Sequence, residues 1–187
     1  MSQPIDASAQ ALDCSAAGFI VPVLEQVKAE GHYHAVCYDA DGNLKWEDDI
    51  ENLVTTVGKN FALDTVFAGS AYTAAWSMGL VDGGSAPTYN AADTMASHAG
   101  WTENTGYSNA TRPTPAFSSA SAGSKATSTG VVFTINAPGT IAGAFMNTNS
   151  TKGGTTGSLY SAGSFTGGNK AVANGDSLSV TYTATLT

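Results

Sequence analysis

The residues with the most obvious chemical capacity are His32 and His34, followed closely by Cys37 and Asp39 in the run HYHAVCYDADGNLKWEDD (residues 32–49). Two histidines one residue apart on a strand point the same way, which is how many metal sites begin. A zinc site needs further Cys, His or carboxylate ligands at bonding distance. On a regular strand Tyr33, Ala35, Cys37 and Asp39 fall on the face opposite His32, His34, Val36 and Tyr38. The pair therefore lacks a third ligand and reads as surface or interface histidines, with no metal and no cofactor expected. The Asp-Ala-Asp-Gly-Asn run resembles a calcium loop, which wants oxygen ligands at positions 1, 3 and 5, glycine at 6 and glutamate at 12. Counted from Asp39, the glycine comes too early and Ile50 stands where the glutamate should be. A hairpin turn is the better reading.

Other candidates for chemistry are weaker. In KGGTTGSLYSAGSFTGGNK (152–170), Gly163 and Gly168 have phosphate-loop spacing, but Asn169 and Lys170 occupy the lysine and Ser/Thr positions. A glycine-rich turn connection is expected there. His98 and Glu103, near Trp101, are residue types able to move protons. No Gly-x-Ser-x-Gly elbow marks a nucleophile to go with them. Asp48, Asp49 and Glu51 could in principle supply a glycosidase pair, although acidic residues on a hairpin usually form a solvated face. No catalytic residue is assigned.

The elements that must carry these residues are mostly strands. Alternation from His32 to Tyr38, a turn at DADGN and a return through LKWEDDIENLVTTVG predict a hairpin. KNFALDTVFAG predicts one short helix, capped by Asn60 and ended by Gly69, with Phe61, Leu63, Val66 and Phe67 on a recurring face. Tyr72, Ala74, Trp76, Met78 and Leu80 alternate as a strand. A single helical turn capped by Asp93 is expected within NAADTMASHAGW, and an edge strand near Phe117 after Pro113 and Pro115. The runs GVVFTINAPG, TIAGAFMNTNS, GSLYSAGSF and DSLSVTYTATLT are split by turn residues, as in a sandwich or barrel.

Residues 1–30 differ, being small and polar up to an apolar patch. Phe19, Ile20, Val21, Val23 and Leu24 form that patch, with Pro22 inside it. The chain thus divides into an N-terminal arm (1–30) and a β-sandwich domain (31–187), and the patch is the candidate partner-binding surface. It is too short to span a bilayer, and no basic segment precedes it as in a signal peptide.

The 187 residues suit one domain, large enough to bury roughly 70% of its unfolded surface. Fifteen acidic against seven basic side chains give a net charge of −8, with the cations scattered singly. Nucleic acid and anionic membrane are disfavoured as partners. Two lone cysteines, Cys14 and Cys37, do not make a disulfide framework and fit a protein made in the cytoplasm.

The phrases CYDADGNLKWEDDIENLVTTVGKNFALDTVFAGSAYTAAW, DTMASHAGWTENTGYSNATRP, STKGGTTGSLYSAGSF and VANGDSLSVTYTATL resemble, in wording and order, small virion proteins of tailed bacteriophages. The resemblance runs from about Tyr33 to the C-terminus and carries no catalytic signature. It implies a capsid decoration, or cement, protein with a jelly-roll fold. Together with the elements read above, the expected fold is an all-β, jelly-roll-like antiparallel sandwich with one short helix and an extended arm, the arm lying outside the resemblance. Such a protein lies on the virion exterior and binds the major capsid protein, here as a dimer or trimer. A tail-fibre or other host-receptor-binding role is the alternative, with Tyr160 or Trp101 as exposed aromatics.

Overall fold

The computed structural model describes residues 28–67 and 76–187. Within them the chain is an antiparallel β protein with a single short helix. The strands are β1 (Ala29–Tyr38), β2 (Leu44–Val54), β3 (Ser77–Asp82), β4 (Glu103–Asn104), β5 (Ser124–Ala126), β6 (Val131–Thr134), β7 (Gly139–Asn147), β8 (Leu159–Phe165), β9 (Lys170–Val172) and β10 (Ser177–Leu186). Helix α1 (Thr56–Phe67) follows β2 directly. β1 opens at Ala29, so the last two residues of the segment read as arm are sheet residues.

Pairing runs β4-β3-β7-β8-β2-β1-β10-β5, with β6 beside β5 on the outer edge of β10 and β9 continuing β8 along β7. The segment after β4 joins the two ends of this order. Tyr107 bridges Ile135, and Ser108 donates its N–H to the carbonyl of Thr134. Farther along, Met78 donates to Pro113 and Ser118 to Ala126. Residues 103–118 therefore bond to β3 on one side and to β5 and β6 on the other, which satisfies edges that would otherwise be open. The sheet folds over itself as a sandwich-like body around one main core.

Alternation fills that core as the sequence predicts. Tyr33, Ala35 and Cys37 of β1 and Leu178, Val180 and Tyr182 of β10 point inward, together with Met78, Leu80, Phe133 and Met146. β7 is different, because it is buried on both faces. A bulge places Ala142 as an extra residue opposite Val81–Asp82, so Ile141 and Ala144 face the main core while Ala142 and Phe145 face outward. The loop after β3 folds over this outer face and buries Met95 and Trp101 against Phe145 and Leu159. The expected helical turn at Asp93 is not a helix but a series of tight turns. The Asp93 carboxylate accepts the Asn90 N–H at 3.0 Å and the Trp101 Nε1–H at 3.3 Å, which aims Trp101 inward.

Helix α1 starts four residues before the expected cap. Thr55, not Asn60, caps it: its Oγ1 accepts the Gly58 N–H at 3.0 Å and donates to the Leu159 carbonyl at 2.5 Å. Gly58 packs flat on the backbone of Tyr160, where a Cβ would meet the Tyr160 Cα at 2.8 Å. The close approach requires glycine. The expected stop at Gly69 lies outside the described residues. No helix among the described residues is long and apolar enough to cross a membrane.

Candidate functional site

The β1–β2 turn uses up the Asp39 carboxylate that a calcium loop would need. Asp39 Oδ1 accepts the N–H of Asp41 at 3.0 Å and of Asn43 at 2.8 Å, and Gly42 takes φ 85°. The backbone and side-chain bonds from Asn43 hold the Asp39 carboxyl below its usual range. Cys37 is on the opposite face from the histidines, buried as a free thiol. Burial, and then the neighbouring Asp176 charge, push it up to about 11.

His32 and His34 point outward as expected, and the pairing of β1 with β2 gives them a shared partner. Asp49 lies directly across from His34, and its Oδ1 is 3.0 Å from His32 Nε2 and 2.9 Å from His34 Nδ1. The bond from His34, followed by that from His32, holds the Asp49 carboxyl below its ordinary value. All three side chains are about half exposed. Both nitrogens aim at one oxygen as donors, and among the described residues no group of three or more His, Cys, Asp or Glu could hold a metal ion.

Asp48 turns away from Asp49 and closes the glycine-rich connection. It accepts the Thr166 hydroxyl at 2.7 Å and the Gly167 N–H at 3.0 Å, and it pairs with Lys170 at 2.5 Å. Lys152 donates to the carbonyls of Tyr107 and Asn109 at 2.7 and 2.9 Å. The stretch is strand β8 between two held turns, and both its lysines are engaged. His98 and Glu103 take separate partners. His98 stacks on Trp101 at 4.0 Å and its Nδ1–H bonds the Trp101 carbonyl at 2.9 Å. Glu103 is buried against Arg112, with Tyr107 and the Gly153 N–H as further donors. Trp101 is only 3% exposed and offers no surface platform.

A concave feature that sequence reading missed lies at the end of the body where β1 starts and β10 finishes. Trp76, Phe117, Met146, Tyr160 and Tyr182 wall a cavity of about 140 Å³, with Lys125 at its rim. Phe61 of α1 packs edge-on to Trp76 at 5.2 Å, and Trp76 edge-on to Tyr160 at 5.2 Å. Tyr182 continues the file to Tyr33, 4.5 Å away, whose hydroxyl bonds Ser161 Oγ at 2.6 Å. Gly31 leaves room for this packing, since a Cβ there would strike the Tyr182 hydroxyl and meet Asn52 Nδ2 at 2.8 Å. Among the described residues, the Tyr182 hydroxyl and both polar atoms of the Asn52 side chain are buried without a hydrogen-bond partner. Burial raises the pKa of Tyr33, Tyr160 and Tyr182, so all three are neutral. Trp76, Tyr160 and Tyr182 are each legible as strand residues; that they meet depends on pairing across β3, β7, β8 and β10.

No family model, curated protein or solved structure matches this chain.

The same end carries an apolar surface. Of the face expected on α1, Phe61 alone turns in to Trp76, while Leu63, Val66 and Phe67 are exposed, the last two at 72% and 83%. Leu186 at the end of β10 is exposed too. The candidate partner-binding residues Phe19, Ile20, Val21, Val23 and Leu24 lie outside the described residues, as does Cys14.

Proposed function

We propose that the protein is a structural component of a tailed-phage virion, a decoration (cement) protein that binds the outside of the major capsid protein shell and stabilises it. The wording of residues 33–187 supports the phage origin. One structural observation supports attachment: Leu63, Val66 and Phe67, an aromatic cavity and the exit of the N-terminal segment share one end of a stitched β body. Exposed apolar side chains grouped like this mark protein–protein contact surfaces. The excess of acidic side chains suits an exterior position away from nucleic acid. No cofactor enters this role, and a jelly-roll-like connectivity goes with it. Attachment as a dimer or trimer would add avidity to weak single contacts.

The test is copy number and shell binding. A stained gel of purified virions should show the protein at the capsid subunit count or a simple fraction of it, and purified protein should co-sediment with emptied shells. A few copies per particle, with adsorption to host cells by the isolated protein, would overturn the cement role in favour of a tail-fibre or other receptor-binding component. Tyr160 in the aromatic cavity is the residue that favours this second reading.

A further inference from the structure

We propose that the aromatic cavity at the β1 end is a socket for Phe19 of the chain's own N-terminal segment. Size selects the kind of occupant. At about 140 Å³ the cavity matches the ~150 Å³ apolar cavity that takes up benzene. It falls well short of the ~300–1,000 Å³ of sites for drug-sized ligands. One ring fits.

Chemistry selects in the same direction. The walls are aromatic carbon and the Met146 thioether. The rim cation is already committed, since Lys125 donates to the Ser118 carbonyl at 2.8 Å and lies 6.0 Å over the Phe117 ring. A sugar would surrender its hydroxyl hydration there for few partners, whereas an apolar ring gives up nothing polar.

Position selects the chain. Ala184, at the cavity edge, pairs with Gly31 of β1. Three residues earlier, Lys28 exchanges both backbone hydrogen bonds with Thr187, at 2.7 and 3.1 Å. The chain therefore leaves the sheet beside the socket. Of the 27 residues before Lys28, Phe19 is the only aromatic one. The intervening stretch can extend to about 30 Å, ample for the approach. So short a tether holds the ring at an effective concentration of order millimolar, which favours the same chain over a second copy at micromolar concentration.

Socket docking takes up the reading of Phe19–Leu24 as a binding segment but needs no shell. Its test therefore uses the isolated full-length protein, and its outcome is separable from shell binding. Phe19 is replaced by the single-ring photo-crosslinker p-azidophenylalanine, the protein is irradiated, and the products are sized and mapped by mass spectrometry. The expected product has monomer mass and is joined to Met146, Tyr160 or Phe117. Filling the cavity with Ala184→Trp should reduce it at least tenfold. Products of dimer mass, attachment confined to α1 or to residues 68–75, or a yield unchanged by Ala184→Trp would each overturn the proposal. If Ala184→Trp does not fold, hydrogen exchange decides instead. Amides of residues 124–126 and 183–186 should exchange at least tenfold faster in Phe19→Ala than in the unaltered protein, and equal rates would reject the socket.

Discussion

Arg112 and Glu103 form a two-pronged ion pair in the interior: Nε to Oε1 at 3.0 Å and Nη2 to Oε2 at 2.7 Å, with both side chains almost wholly buried. Two further Arg112 N–H groups reach the carbonyls of Asn149 and Gly154, at 3.0 and 2.7 Å, and its guanidinium lies 5.1 Å over Phe145. The pair thus ties the β7–β8 loop to the segment that closes the sheet. Breaking one side leaves a buried charge, at a cost of about 3–5 kcal/mol. Arg112→Met should lower the urea midpoint accordingly, and the double variant Arg112→Met/Glu103→Leu should recover much of the loss. A single variant within 1 kcal/mol of the unaltered protein (roughly the worth of an exposed pair) would show that the pair is not buried as described.

Helix α1 offers a test of sign. Alanine for glycine inside a helix usually stabilises by about 1 kcal/mol. At Gly58 a methyl group would meet the Tyr160 backbone, which cannot swing aside as a side-chain tip can. Gly58→Ala should therefore destabilise. Thr55→Ala should cost about 1–2 kcal/mol through loss of the cap. Thermal melts of the two variants check both; a higher melting temperature for Gly58→Ala would refute the close packing of α1 on β8.

Acid should weaken the molecule partly through Asp48. Burial raises its pKa, but the bonds from Lys170 and Thr166 outweigh this and leave it below the ordinary ~3.9. The unfolded chain then binds more protons across that interval, so stability rises with pH. The contribution is complete above the unfolded value and disappears as pH falls through the folded one. The gap in urea midpoint between the unaltered protein and Asp48→Asn should be widest near pH 6–7 and close below pH 4. A gap independent of pH would refute the assignment.

Cys37, pushed up to about 11, should be inert while the protein is folded. At pH 8 roughly one thiol in a thousand is ionised, and it faces the core. A Cys14→Ser variant, leaving Cys37 as the sole thiol, should react with a disulfide reagent only after unfolding. Rapid native labelling would contradict the burial.

The α1 surface should matter for partners and not for folding. Val66→Lys/Phe67→Lys should change stability by no more than about 0.5 kcal/mol, as for exposed sites generally. Under the proposed role, shell co-sedimentation should fall at least tenfold. Unchanged co-sedimentation would move the attachment surface elsewhere.

Sequence alone determined which residues of each strand face inward. Tyr33, Ala35 and Cys37 oppose His32 and His34, DADGN turns the chain, and the C-terminal runs are strands, because alternation and turn preference depend on neighbours a few residues apart. The start of α1 was less legible. Thr55, Thr56 and Val57 read locally as strand, and Thr55 becomes a cap where its hydroxyl also reaches the distant Leu159 carbonyl. Asp49 as the partner of both histidines, the buried Glu103–Arg112 pair and the meeting of Trp76 with Tyr160 and Tyr182 were decided only by the tertiary structure. Each depends on strand register or on chain closure between residues far apart. Local pattern carries no information about which strands will lie side by side.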